Sequence, residues 1–138
     1  IDGRQFTYET GGDSADGSAK QLSCFLDRNQ GKKLAIFCVN GVALINVLEA
    51  MQQVGCVIGP QLGICGFDDW GWAKLIPPGI TTIMNDSYSV GAESAKILLR
   101  RISNKRKVKP VLVELESCLC VRGSTDQSLA RNFVGWNK

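Results

Sequence analysis

The stretch "LAIFCVNGVALINVLEAMQQVGCVIGPQLGICGF", Leu34 to Phe67, decides the fold. Leu34 to Val39 is a continuous apolar run, too short for a helix of its own, bounded by Lys33 and by Asn40-Gly41. It reads as a strand buried on both faces. The next segment carries Leu44, Val47, Leu48, Met51 and Val54 at helical spacing and stops at Gly55, where glycine supplies the usual left-handed end. Leu62 to Phe67 is a second buried-looking strand that ends abruptly in Asp68 and Asp69. Strand, helix and strand in this order make a βαβ unit, so the two strands are expected to be parallel neighbours.

The pattern extends in both directions. Arg4 to Tyr8 alternates and reads as a strand; "TGGDSADG" follows as a turn, with Asp13 or Ser14 as helix cap. Ala19, Leu22, Phe25 and Leu26 then recur at helical spacing, and the helix is expected to stop between Asn29 and Gly31. After Pro77-Pro78, "ITTIM" reads as extended. A strongly amphipathic helix comes next, its stripe formed by Tyr88, Gly91, Ala92, Ala95, Leu98, Leu99 and Ile102. Arg100, Arg101 and Lys105 suit its negative end. "VLVELESCLCVRG" reads as one long alternating strand with Val111, Val113 and Leu115 on one face. From Ser124 onward no period is visible, although Phe133 and Trp136 offer docking side chains. The class is α/β with a parallel sheet.

Composition narrows the function. The 138 residues are 44% apolar and 21% charged, the balance of a globular protein with a real core. A net charge of +3 is too mild to advertise nucleic acid, and the basic run Asn104 to Lys109 reads as a solvated helix end. No apolar run reaches the length of a membrane span, and the chain opens in mid-pattern at Ile1, as a piece of a longer protein would. The six cysteines lack paired CxxC spacing and read as reduced thiols of a cytoplasmic protein, Cys38 and Cys65 lying inside apolar runs. With no histidine anywhere, a zinc site and a Ser-His or Cys-His nucleophile pair are both disfavoured; no metal, cofactor or catalytic residue is implied.

In an open parallel sheet, ligands bind beyond the carboxyl ends of the strands. Asn40 follows one strand and Asp68 the next, so both fall on one sheet edge. A carboxylate that accepts and an amide that donates and accepts suit hydroxyl groups, and Trp70 or Trp72 offers a ring face for stacking. A polyol or sugar pocket is the functional reading. The structural reading of the same residues is a turn at Asn40-Gly41, a cap or solvated charge at Asp68, and packing at the tryptophans. A magnesium site or phospho-acceptor at Asp68-Asp69 would want a further carboxylate or a well-placed lysine, and none announces itself.

Taken together, "IFCVNGVALINVLEAMQQVG", "LGICGFDDWGWAKLIPPGITTIMND", "GAESAKILLRRI" and "LCVRGST" resemble the lactose-repressor family of bacterial transcription regulators. The likeness runs from Arg4 to Thr125, and it is the order and spacing of the pieces that make it specific. It implies the C-terminal part of an effector-binding core with the fold of periplasmic sugar-binding proteins, here an incomplete three-layer subdomain, with the segment 82–115 crossing to an N-terminal subdomain. The closing "VRGST" favours regulator over transporter. The "DDWGWAKL" variant resembles regulators of sugar-acid catabolism, the ketodeoxygluconate type. Two departures stand out: the family's Asn-Asp is Asn40-Gly41 here, and its "VPxDI" is "IGPQL", Ile58 to Leu62.

Carried over residue by residue, the resemblance implies effector contacts from Asn40, Asp68 and Asn85, with Trp70 beside the cleft and Trp72 in packing. It implies a small sugar or sugar-acid effector, a homodimer, and operator DNA bound only through a helix-turn-helix outside this chain. The apolar stripe of the helix after Asn85 would then lack its cover here, and self-association or element swapping is expected. Three rivals stand beside this reading. They are a periplasmic sugar-binding protein, a small α/β enzyme using Asp68 or Asp69 as base, and an interaction fragment with no pocket.

Overall fold

The computed structural model describes residues 15–104 and 109–129. The expected strand at Arg4 to Tyr8, the Asp13 or Ser14 cap, most of the basic run, and Phe133 and Trp136 lie outside these residues. The order is α1 (Ala15–Arg28), β1 (Leu34–Cys38), α2 (Gly41–Val54), β2 (Leu62–Phe67), β3 (Thr81–Asn85), α3 (Ser87–Ser103) and β4 (Ser117–Cys120), followed by a single 3-10 turn at Gln127–Leu129.

The four strands form one sheet in the order β1-β2-β3-β4. β1 pairs with β2 in parallel, with Leu34 opposite Leu62 and Cys38 opposite Gly66, as the βαβ reading requires. β2 and β3 are also parallel, whereas β4 returns antiparallel to β3 with Asn85 opposite Ser117. The sheet is therefore mostly parallel, and its three parallel strands all end at the same edge.

α2 begins where Asn40 caps it: the side-chain Oδ1 accepts from the Ala43 amide at 2.8 Å. It ends at Gly55, left-handed at φ 73° and donating to the carbonyls of Met51 and Gln52. Its inner face, Leu44, Val47, Ala50 and Met51, lies over Leu62 and Ile64 of β2, and α1 stacks on it through Leu22. Fully burying a side chain such as Leu44 or Ile64 contributes about 1.5–3 kcal/mol. The close approach has a sequence cause in Gly66, where a Cβ would stand 2.7 Å from a methyl of Leu44.

Two expectations need correction. β1 is not buried on both faces: among the described residues it is the outermost strand of the sheet, and Phe37 is 55% exposed on the side away from α2. A continuous apolar run cannot tell an edge strand from a central one, because that is decided by the neighbours. The long strand after Pro110 is shorter than its pattern: only Ser117–Cys120 pairs, and residues 111–116 run unpaired and exposed. Alternation reports a strand-like backbone, but β3 is five residues long and offers β4 no more partners. The α/β class with a mostly parallel sheet stands, one helical layer being formed by α1 and α2. Among the described residues α3, the remaining helix, buries nothing and packs on no other helix or strand.

Candidate functional site

The carboxyl ends of the three parallel strands bring together Asn40, Asp68 and Asn85. Asn40 lies two residues past β1, Asp68 directly follows β2, and Asn85 closes β3. Asp68 has φ 71° and is the one non-glycine residue with positive φ among those described. Aspartate tolerates this left-handed conformation better than most residues. The amide of Asp68 donates to the Ile83 carbonyl at 2.9 Å, so the turn is tied to β3 as it leaves β2. Unusual backbone geometry of this kind concentrates at ligand sites.

The two aspartates have opposite fates. Asp69 accepts a bidentate pair from Arg122, Nη1 to Oδ1 and Nη2 to Oδ2, both at 2.8 Å. The Thr82 hydroxyl adds a third bond to Oδ1 at 2.8 Å. Both ion-pair partners are mostly buried, the Asp69 side chain 15% and the Arg122 side chain 19% exposed. The Arg122 hydrogen bonds hold the Asp69 carboxyl below its ordinary value. Its charge is neutralised within the fold, so Asp69 is not a general base, and that part of the enzyme reading is overturned. The partner was missed from sequence because it lies 53 residues away. The signal was the closing "VRGST", each polar member of which proves to have a structural task.

Arg122 also donates to the Ile80 carbonyl at 2.6 Å and to the Thr82 hydroxyl at 3.0 Å. Ser124 is buried and fully engaged: its Oγ accepts from the Thr81 amide at 2.7 Å and donates to the Ile64 carbonyl at 2.6 Å. Thr125 meets Thr81 hydroxyl to hydroxyl at 2.6 Å. The motif is a clamp joining β2, β3 and the loop that carries the aspartates.

Asp68, by contrast, is left to the sheet edge, its carboxylate met by the Asn85 amide at 3.5 Å, the outer limit of a hydrogen bond. Asn85 in turn accepts from the Ser117 hydroxyl at 2.7 Å. Asn40 lies on the same edge with its Oδ1 committed to the α2 cap. What it can offer a ligand is its amide N–H groups. The functional and structural readings of Asn40 are therefore compatible.

The two tryptophans divide as expected for Trp72, which packs against the core. Trp70 is 42% exposed and meets Trp72 edge to face, with ring centroids 6.1 Å apart at 84°. Its indole lies over the start of α2: a Cβ on Gly41 would come within 2.8 Å of the ring. The departure from Asn-Asp to Asn-Gly at positions 40 and 41 thus has a physical reason. A side chain at 41 and this indole cannot occupy the same space. An open recess of about 280 Å³ lies between the start of α3 and the approach to β4, with Asn85 and Ser117 in its wall. The described residues hold no group of acidic or sulfur ligands fit for a metal ion.

A mostly parallel sheet with ligand-competent side chains at its carboxyl edge can be compared with known proteins. The model of the periplasmic binding protein-like domain matches residues 1–125. The chain belongs to this family. Within it, the chain is similar to the lactose-repressor-type regulators. It is 36% identical over 104 residues to the HTH-type transcriptional regulator KdgR of Bacillus subtilis, covering 75% of this chain and 30% of that protein. Among solved structures it resembles a LacI-family transcription regulation repressor from Corynebacterium glutamicum, with TM-score 0.70 and 21% identity, over 88% of this chain and 46% of that one. It also resembles a LacI-family regulator from Enterococcus faecium with bound ribose, with TM-score 0.56 and 26% identity, over 70% of this chain and 35% of that one. These relatives are named as transcriptional regulators, not as enzymes. The periplasmic binding protein-like domain described here spans about three-tenths of the length of KdgR.

Proposed function

We propose that this chain is the effector-sensing portion of a sugar-responsive bacterial transcription regulator, cytoplasmic and homodimeric, the part C-terminal in its core. The observation that carries the reading is the Asp68-Asp69 pair, in which one carboxylate is neutralised by Arg122 and the other is held at φ 71° on the carboxyl edge beside Asn85. A carboxylate and amide groups along one sheet edge suit the hydroxyls of a small sugar or sugar derivative. Asp68 accepts from hydroxyls, Asn40 and Asn85 donate to them, and Trp70 stands beside them as a ring face. The ribose bound in the Enterococcus faecium relative supports the ligand class. That KdgR is an HTH-type transcriptional regulator supports the output, DNA binding by a part of the protein outside this chain.

The mechanism needs no covalent step. The segment 82–115 would cross to a second subdomain, and a sugar bridging the two walls binds the closed arrangement more tightly than the open one. Only that difference in affinity can shift DNA binding, and the coupling is reciprocal. The test uses the complete gene product: tryptophan fluorescence is followed while sugars and sugar acids are titrated, with Asp68→Ala in parallel. A saturable change abolished by the substitution, with melting temperature preserved, supports the reading. Saturation that survives Asp68→Ala moves the site elsewhere.

A further inference from the structure

Resting on the reading of this edge as a hydroxyl-binding site, we propose that Ser117 is a positioning residue that completes a polarised row, Asp68–Asn85–Ser117, reading two neighbouring hydroxyls of the ligand. Ser117 and Asn85 are separated by 32 residues but stand directly opposite each other in the antiparallel β3–β4 register. Side chains so placed share one face at hydrogen-bonding reach.

The polarity of the row follows from what each group can do. An ionised carboxylate only accepts, so the Asn85 amide must turn its Nδ2 toward Asp68, as observed at 3.5 Å. That leaves Oδ1 facing Ser117. A hydroxyl could either donate or accept, but opposite a carbonyl oxygen it must donate, and it does so at 2.7 Å. The single Ser117 proton is thereby committed. What remains for a ligand is a lone pair on Asp68, the second N–H of Asn85 and the lone pairs of Ser117: acceptor, donor, acceptor.

A vicinal diol matches that order. One hydroxyl donates to Asp68 and accepts from Asn85, and its neighbour donates to Ser117. A carboxylate or ketone has no proton to give and meets two acceptors, one of them charged, so an acidic or keto end of the ligand is turned away from this row. Of the nearby charged groups, Glu116 also lines the recess beside Ser117 and adds a further acceptor, which turns an acidic end of the ligand away in the same sense. Arg122 is occupied by Asp69, and Asp86 is occupied in capping α3, accepting from the Ser89 amide at 3.0 Å. Asn85 and Ser117 both border the open recess, so this end of the row is accessible to a ligand, while Asp68 lies outside the recess wall.

Two measurements test this independently of each other. In the 15N-labelled 138-residue chain, Ser117→Ala is expected to shift the Asn85 side-chain amide resonances, and Ser117→Thr, which keeps the hydroxyl, to restore them. Asn85 resonances indifferent to Ser117→Ala would overturn the positioning role. On the complete gene product, Ser117→Ala is expected to weaken ribose binding about fivefold, the loss of one neutral hydrogen bond. The 2-, 3- and 4-deoxy riboses are compared with ribose, and for the one that lacks the hydroxyl facing Ser117 the substitution is expected to have hardly any effect. A loss of equal size for ribose and all three deoxy sugars would overturn the diol assignment. If the wild type binds neither these sugars nor gluconate, the sugar-sensing reading falls and the diol assignment with it, while the amide resonances still decide the part played by Ser117.

Discussion

α2 and α3 carry the same kind of sequence and meet opposite fates. Each is amphipathic, each is capped by an Asn or Asp side chain, and each follows a parallel strand. Yet the inner face of α2 is 7% exposed or less, whereas on α3 Tyr88 is 85% exposed and Leu98, Leu99 and Ile102 stand open. The unpaired run with Val111, Leu112, Val113 and Leu115 is exposed as well. Periodicity shows that a helix has an apolar face. Whether that face is covered depends on a surface elsewhere, and for α3 none of the described elements supplies it.

The widest test of this comparison is a pair of leucine truncations. Leu44→Ala is expected to cost about 3–4 kcal/mol, because it leaves a cavity against β2, whereas Leu98→Ala is expected to change stability by less than about 0.5 kcal/mol. Denaturant midpoints of the two variants measure this directly, and equal losses would show that α3 is packed after all. Slightly smaller is the clamp. Arg122→Ala leaves the mostly buried Asp69 carboxylate without its partner and is expected to cost about 3 kcal/mol.

The same ion pair predicts a pH dependence whose sign is fixed. The folded-state value of Asp69 lies below its ordinary 3.8, so its contribution is complete above that value. It is lost as pH falls from there through the lower folded-state value. In Arg122→Ala this part of the acid destabilisation should be reduced, as urea unfolding at pH 3 and pH 6 would show.

Smaller again is Gly66→Ala. Its Cβ would press on Leu44, and the expected loss is about 1–2 kcal/mol from overpacking, relieved by Leu44→Val in the double variant. The smallest effect on stability is expected for Gly41→Ala, where the half-exposed indole of Trp70 can move aside. Here the readout is a shift in tryptophan emission with the unfolding midpoint changed by less than about 1 kcal/mol. An unshifted spectrum would mean that the indole does not rest on α2.

Where the structure agrees with the sequence, the information was local. The stop at Gly55, the four-residue rhythm of α2 and the apolar run of β2 each fit within a few neighbours, whereas Asn40 was read as a turn and proves to cap α2. Asn40 and Asp68 share an edge because both follow parallel strands, which the βαβ order already implied; Asn85 was suggested by the resemblance alone, and the parallel β2–β3 pairing puts it at the same edge. What was not legible depended on distance along the chain. The edge position of β1, the unpaired approach to β4, the Asp69–Arg122 pair and the Asn85–Ser117 contact all require knowing which strand lies beside which. Adjacent carboxylates gave no hint that one would be neutralised. That assignment came from Arg122, on the far side of α3.

The capping of α3 carries a mechanical implication. Asp86, which caps it, is covalently next to Asn85, so the helix starts directly at the proposed binding edge. With 17 residues, α3 is about 25 Å long. A tilt of about 5° at its start, no more than a side-chain adjustment can impose, sweeps its far end through about 2 Å. No other helix or strand among those described clamps it. If the Asp68–Asn85 edge holds a sugar as proposed, α3 is placed as a lever arm, its short end beside that edge and its long end uncovered by the other described elements.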